Sequence, residues 1–192
     1  MDAPPFPAAA IASACAAVKD YLRMANGTDD AAVTAAVQTA LALGEAFTGT
    51  AWIARQWQAW LGRSPDWQRL PVAPVTAIGA VETVDAAGVA TALPVAAYTI
   101  DLDARGEGWV RLASAPATAT APTRVRVTFA AGTAPGWDNL PPPLAQGVVL
   151  LAAHLLEARG DTAVPPAAVV AFWRPWRRLQ LMAGARRQCW SS

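Results

Sequence analysis

The feature that most constrains this chain is a double change of hydrophobic period, from helical spacing to alternation and back to helical spacing. From Ile11 to Met24, the residues Ala14, Ala17, Val18, Tyr21 and Leu22 share a helical face. Asn26-Gly27 then reads as a turn and a helix stop. Thr28 reads as an N-cap, with Asp29 and Asp30 in a first turn where the helix dipole favours acids. Val33, Val37, Ala40, Gly44 and Phe47 follow at steps of 4, 3, 4 and 3, which predicts a second helix ending near Thr48-Gly49-Thr50.

The middle alternates. Trp52 to Leu61 fits neither period cleanly, and a strand is favoured because Gln and Arg intervene. Val75 to Val84 and Val89 to Leu93 flank the Gly-containing loop Asp85-Ala86-Ala87-Gly88 and predict a hairpin. Tyr98, Ile100 and Leu102 alternate with Thr99, Asp101 and Asp103, which places the acids on a solvent face. Arg124, Arg126 and Thr128 alternate with Val125, Val127 and Phe129 and give the clearest strand. Residues 75–130 therefore read as one small antiparallel sheet built of hairpins. Helical spacing returns with Leu144, Val148, Leu151 and Leu155, ended by Gly160-Asp161. Pro165-Pro166 opens a short helix carrying Val169, Val170, Phe172 and Trp173. Pro175 breaks it, because an interior proline costs about 3 kcal/mol, and a last helical segment runs to about Ala183.

The pattern predicts an α+β fold: a helical bundle of N- and C-terminal helices with an inserted small antiparallel β region. The expected divisions of a single domain, 1–192, are helices in 8–49, the β region in 50–131, helices in 140–183 and a basic tail in 184–192. Composition limits the core. Hydrophobic residues make up 54% of the chain and charged residues 15%, against about 25% charged in a typical domain. The apolar excess is mostly alanine, which buries little area per residue.

Catalytic chemistry is hard to find. The single histidine, His154, sits in an apolar helical stretch and reads as a packed or interface residue rather than a metal ligand. Cys15 and Cys189 lie near opposite ends and read as reduced thiols, with no disulfide framework or metal spacing. No phosphate-loop, dinucleotide or nucleophile-elbow motif occurs. Asp101 and Asp103 look like the wet face of a strand, not an acid–base pair. No enzyme, cofactor or metal is expected. No run of 18 apolar residues supports a membrane span, and the acidic start lacks a signal peptide's positive region, so a cytoplasmic product is expected.

Several short stretches occur in a telling order: Val18-Lys19-Asp20-Tyr21-Leu22-Arg23, Asp29-Asp30, Ala46-Phe47-Thr48-Gly49 and Leu70-Pro71-Val72-Ala73-Pro74-Val75. The Asp85 to Gly88 loop, Val127-Thr128-Phe129-Ala130-Ala131-Gly132, Leu140-Pro141, Pro165-Pro166 and Phe172-Trp173-Arg174-Pro175-Trp176-Arg177 complete it. Over residues 15–180 this order resembles the head–tail connector (adaptor) proteins of long-tailed bacteriophages, prophages and gene transfer agents. The Ala-rich start before Ser13 and the tail past Leu181 lie outside the resemblance. The resemblance implies a non-enzymatic ring, usually of twelve copies, beneath the portal protein, with a stopper or terminator ring on its tail side. Double-stranded DNA passes through the centre without sequence specificity. It also implies assembly in the bacterial cytoplasm and residence at the head–tail junction of the particle.

Charge distribution points to assembly independently. Residues 1–161 hold all fourteen acids and ten cations, for a net −4; residues 162–192 hold five arginines and no acid, for +5. Arg and Trp are the types most enriched at interface hot spots. Trp173, Arg174, Trp176, Arg177, Arg178, Arg186, Arg187 and Trp190 are therefore candidates for docking on the portal; the other reading is a solvated basic tail whose tryptophans finish the core. Trp52, Trp57, Trp60 and Trp67 read first as core and alternatively as subunit contacts, with single-stranded nucleic acid a remote third reading. The alternative function is a nucleic-acid-binding or DNA-packaging accessory protein that uses the basic C-terminal arm. The near-neutral total charge argues against a dedicated DNA binder.

Overall fold

The computed structural model describes residues 3–24, 29–62, 64–113, 124–157 and 164–178. Four helices, α1 (Ala8–Leu22), α2 (Asp30–Thr48), α3 (Pro142–Glu157) and α4 (Ala167–Trp173), surround one apolar core. Between α2 and α3 lie seven strands: β1 (Arg55–Leu61), β2 (Gln68–Arg69), β3 (Val75–Val84), β4 (Ala90–Ala92), β5 (Tyr98–Leu102), β6 (Gly108–Leu112) and β7 (Arg124–Ala131). The fold is mixed α+β with antiparallel sheets.

The helices follow the apolar period, but their ends differ from expectation. Arg23 closes α1 in the left-handed region, and the main-chain N–H groups of Arg23 and Met24 donate to Asp20 and Lys19. α2 begins one residue later than expected: Asp29 precedes it in a left-handed conformation, so only Asp30 stands in the first turn. Thr28 lies outside the described residues, as do Gly160-Asp161 and residues 179–183 of the expected last helical segment; where that segment should begin, Arg174–Trp176 forms a single 3-10 turn containing Pro175, and Arg177 after it is extended. By length and composition α2 could cross a membrane, yet Val33, Val37, Ala40 and Leu41 bury its face in the helical core, as a core helix does.

Two glycines shape that core. A Cβ on Gly44 would lie 2.0 Å from the Trp52 ring, and one on Gly147 would lie 2.2 Å from Trp173 Nε1. Each helix thus opens a slot for an indole. The Trp52 N–H donates to Thr48 Oγ1 (2.9 Å) and that of Trp173 to the Leu144 carbonyl (3.3 Å), so neither indole is buried unpaired. Trp137, between β7 and α3, is buried in the same core.

The β region departs from the single hairpin-built sheet expected over 75–130. It forms two sheets, β1-β7-β3-β4 and β2-β6-β5, which share one core. The hairpins β3–β4 and β5–β6 form locally, but β7 lies between β1 and β3 and joins residues far apart in sequence. Its Val125, Val127 and Phe129 are fully buried in the β core, while Arg124, Arg126 and Thr128 alternate with them on the other face. The two hairpin loops are built alike. In each, an aspartate Oδ1 accepts two main-chain N–H bonds: Asp85 from Ala87 and Val89, Asp103 from Arg105 and Glu107. Gly88 and Gly106 supply the positive φ that each loop requires. The helical and β cores meet at residues 51–54 and 132–134, where Gly132 lets its chain approach the Ala54 main chain; a Cβ there would sit 2.3 Å from Ala54.

Candidate assembly interfaces

The C-terminal candidates separate by burial. Trp173 is a core residue, with its ring edge-on to Trp52 at 5.2 Å between centroids. Arg177 stacks over Phe47 at 5.1 Å. The Arg178 main-chain N–H donates to the Thr48 carbonyl (2.8 Å), and its guanidinium donates to the Arg105 carbonyl. Residues 173–178 are therefore anchored on the helical body. Arg174 and Trp176 remain exposed. Arg186, Arg187 and Trp190 lie outside the described residues, as does Cys189.

The tryptophans of the β1 region do not form one group. Trp52 is fully buried in the helical core and Trp57 is buried in the β core, so their surface is used inside the chain. Trp60 (51% exposed) and Trp67 (41% exposed) point outward. Trp60 faces Arg126 across β1–β7, and Arg126 in turn is paired with Glu82 of β3 (2.9 Å). The Arg111 guanidinium lies over the Trp67 ring at 4.9 Å.

β5 also differs from expectation. Ile100 and Leu102 alternate with the acids, but both are half-exposed (44% and 43%), because β5 is an outer strand that overhangs the core. Asp103 uses Oδ1 to hold its loop, which leaves Asp101 as the exposed carboxylate on the strand. Among the described residues, no group of three His, Cys, Asp or Glu side chains is placed to hold a metal ion. His154 is partly buried on α3, and its Nε2 is buried without a hydrogen-bond partner among the described residues.

Sequence reasoning did not single out the most elaborate polar node. Arg55, an inward position of β1, forms a two-pronged ion pair with Glu45 of α2 (2.9 and 2.7 Å). Its Nε donates to the Pro4 carbonyl (3.1 Å) and its Nη1 to the Ile53 carbonyl (3.1 Å). The guanidinium lies 4.3 Å from the Phe6 ring centroid and 4.4 Å from that of Trp57. Glu45 Oε1 also accepts the Trp52 main-chain N–H (2.7 Å). One buried cation thus fastens the N-terminal segment, the helices and the sheet together. The signal available in the sequence was an arginine at the inward phase of an alternating strand.

No protein-family profile matches the chain, and no curated protein matches it in sequence. Solved structures do. A chain in the neck of an empty gene transfer agent particle, computed with C6 symmetry, is 33% identical with a TM-score of 0.75; the match covers 96% of this chain and 97% of that one. A chain in the neck of a native particle, computed with C12 symmetry, is 31% identical over the same shares with a TM-score of 0.72. A chain in the virion of a native gene transfer agent particle is 31% identical, again over 96% and 97%, with a TM-score of 0.70.

Proposed function

Because this chain belongs to the family of gene transfer agent neck proteins, we propose that it is the head–tail adaptor subunit of a phage or phage-like particle. In this reading it is a non-enzymatic structural protein that forms a homo-oligomeric ring of twelve copies beneath the portal. DNA passes through the ring without sequence-specific contact, and the tail-side stopper or terminator ring attaches below. The chain acts as one adaptor domain, a helical bundle in 8–49 and 140–183 with the β region of 50–131 inserted.

The observation that carries the reading is likeness along nearly the whole chain to neck chains, one of them in a neck computed with C12 symmetry. A twelve-fold ring also contains C6 symmetry, so both neck structures suit it. Support from the residues comes from the exposed aromatic and apolar side chains Trp60, Trp67, Ile100, Leu102 and Trp176. A subunit covered by neighbours uses such surface, whereas a free monomer leaves it wet.

We assign portal docking to the C-terminal arm beyond the anchored segment 173–178. The test is particle assembly with residues 179–192 deleted, which leaves the contacts of Trp173, Arg177 and Arg178 intact. Tailless, DNA-filled heads are the expected product. Normal attachment of tails would refute arm docking.

A further inference from the structure

The described chain stops at Arg178, at the mouth of a groove along α2. Arg177 is extended, the Arg178 N–H donates to the Thr48 carbonyl, and the Arg178 carbonyl lies 3.8 Å from the place of a Cβ on Gly49. Gly49 lines a hollow of about 660 Å³, together with Ala42 and Ala46 of α2 and with Trp57 and Val72 of the β region. Both alanines are exposed. A second hollow, of about 760 Å³, shares Phe6 and Gln38 with the first and continues along α2 to Thr34 and Asp30, with Asp20 of α1 also lining it. Asp30 is paired with Lys19, whereas Asp20 is exposed and, among the described residues, has no ion pair. The groove therefore starts apolar beside Arg178 and ends at an unpaired carboxylate.

The sequence that follows Arg178 runs in the same order. The 19 residues of α2 span about 28 Å at about 1.5 Å each. An extended chain advances about 3.3 Å per residue, so about nine residues, Leu179 to Arg187, cover that length. Alternation sends Leu179, Leu181, Ala183, Ala185 and Arg187 to one side and Gln180, Met182, Gly184 and Arg186 to the other. The first set begins with two large apolar side chains, continues with two small ones and ends in a cation. Counted along α2, Leu181 falls level with Ala42, Ala183 level with Gln38 where the hollows meet, and Arg187 level with Asp30, at the Asp20 end. Apolar length, small residues and charge all match in one register.

We propose that in the free subunit residues 179–187 lie in the α2 groove of their own chain, with Leu179 and Leu181 in the first hollow and Arg187 beside Asp20. A segment tethered at the mouth of its groove meets it at an effective concentration on the order of millimolar, which the arm of a second free copy does not reach. The contact is a property of the single chain and goes beyond the ring reading. Its consequence rests on that reading: an arm that docks on the portal has to leave the groove first, so the groove holds the arm back until the portal is present.

The experiment traps the arm in the purified full chain. Cys15→Ser and Cys189→Ser remove the native thiols, and Leu181→Cys is combined with Ala42→Cys. The control replaces Ala42→Cys by Leu43→Cys, an exposed position turned about 100° around α2. After mild oxidation, disulfides are mapped by mass spectrometry and non-reducing electrophoresis. An intrachain disulfide is expected in most chains of the Ala42 pair, at least about fivefold more than in the Leu43 pair. Equal trapping in both pairs, no trapping, or disulfides only between chains would overturn the contact. If the reduced Ala42 pair melts below wild type, Leu179→Cys with Ala46→Cys replaces it under the same expectations. The trapped chain is then mixed with tailless, DNA-filled heads, where the oxidised form is expected to co-sediment at least about tenfold less than the reduced form. If a mapped intrachain disulfide leaves head binding unchanged, the arm-docking reading fails while the groove contact stands.

Discussion

Trp52 and Trp173 meet edge to face, with ring centroids 5.2 Å apart and planes at 68°. One residue follows α2 and the other ends α4, so this contact closes the helical core across the inserted strands. Truncating a buried tryptophan typically costs about 3–5 kcal/mol. Trp52→Ala and Trp173→Ala should each fall in that range in denaturant unfolding. Trp60→Ala and Trp67→Ala, which remove half-exposed rings, should cost less than about 1 kcal/mol in the isolated chain. Equal losses at all four positions would contradict the assignment of two to the core and two to the surface.

Glycine substitutions test the slots directly. An ordinary helix-interior Gly→Ala change gains about 1 kcal/mol. Gly44→Ala and Gly147→Ala should instead lose about 1–3 kcal/mol, because the new methyl group meets an indole held on all sides. Gly136→Ala, with nothing within 4 Å of the added carbon, should change stability by less than about 0.5 kcal/mol. Thermal unfolding of the three variants decides the sign.

The Arg55–Glu45 pair gives an ordered series. Arg55→Ala strands a largely buried carboxylate and should cost about 3–5 kcal/mol. Glu45→Gln keeps an acceptor for the Trp52 N–H and should cost less, about 1–3 kcal/mol. The double change Arg55→Met with Glu45→Leu should recover part of the larger loss, since no buried charge is left unpaired. A double variant less stable than Arg55→Ala would contradict this account of the node.

Salt separates portal docking from DNA binding by the C-terminal arm. If all five arginines of residues 162–192 contacted phosphates, affinity would fall by about 10²–10³ between 50 and 200 mM salt. Docking through Trp190 with Arg186 and Arg187 should weaken by less than about tenfold over the same interval, since few counterions are released. Co-sedimentation of the full chain with tailless heads, at both salt concentrations and with or without nuclease, measures the difference. A loss of about a hundredfold or more, abolished by nuclease, would favour the packaging accessory.

How far the sequence was legible depended on whether contacts were local. α2 and α3 could be read because Val33, Val37 and Ala40, and Leu144, Val148 and Leu151, repeat at helical spacing on a buried face. The β3–β4 hairpin could be read from its Asp85 to Gly88 loop. The central place of β7 could not, because its pairing with β1 depends on residues more than sixty positions away. Gly44 fell on the correct helix face, but its role as a slot depends on where Trp52 folds back. Arg55 was hidden for a similar reason: its partners Pro4, Phe6 and Glu45 come from two other segments. Ile100 and Leu102 alternate like inward residues, and alternation alone does not reveal that a strand overhangs its core.

The central claim is that this chain sits as a closed ring at the head–tail neck. The most direct measurement is reconstruction of the neck from purified particles without imposed symmetry, with this chain placed by fitting its two cores into the density. The account predicts twelve copies in one closed ring between portal and tail. Density for the chain elsewhere in the particle, or its absence from a neck that is otherwise complete, would contradict it.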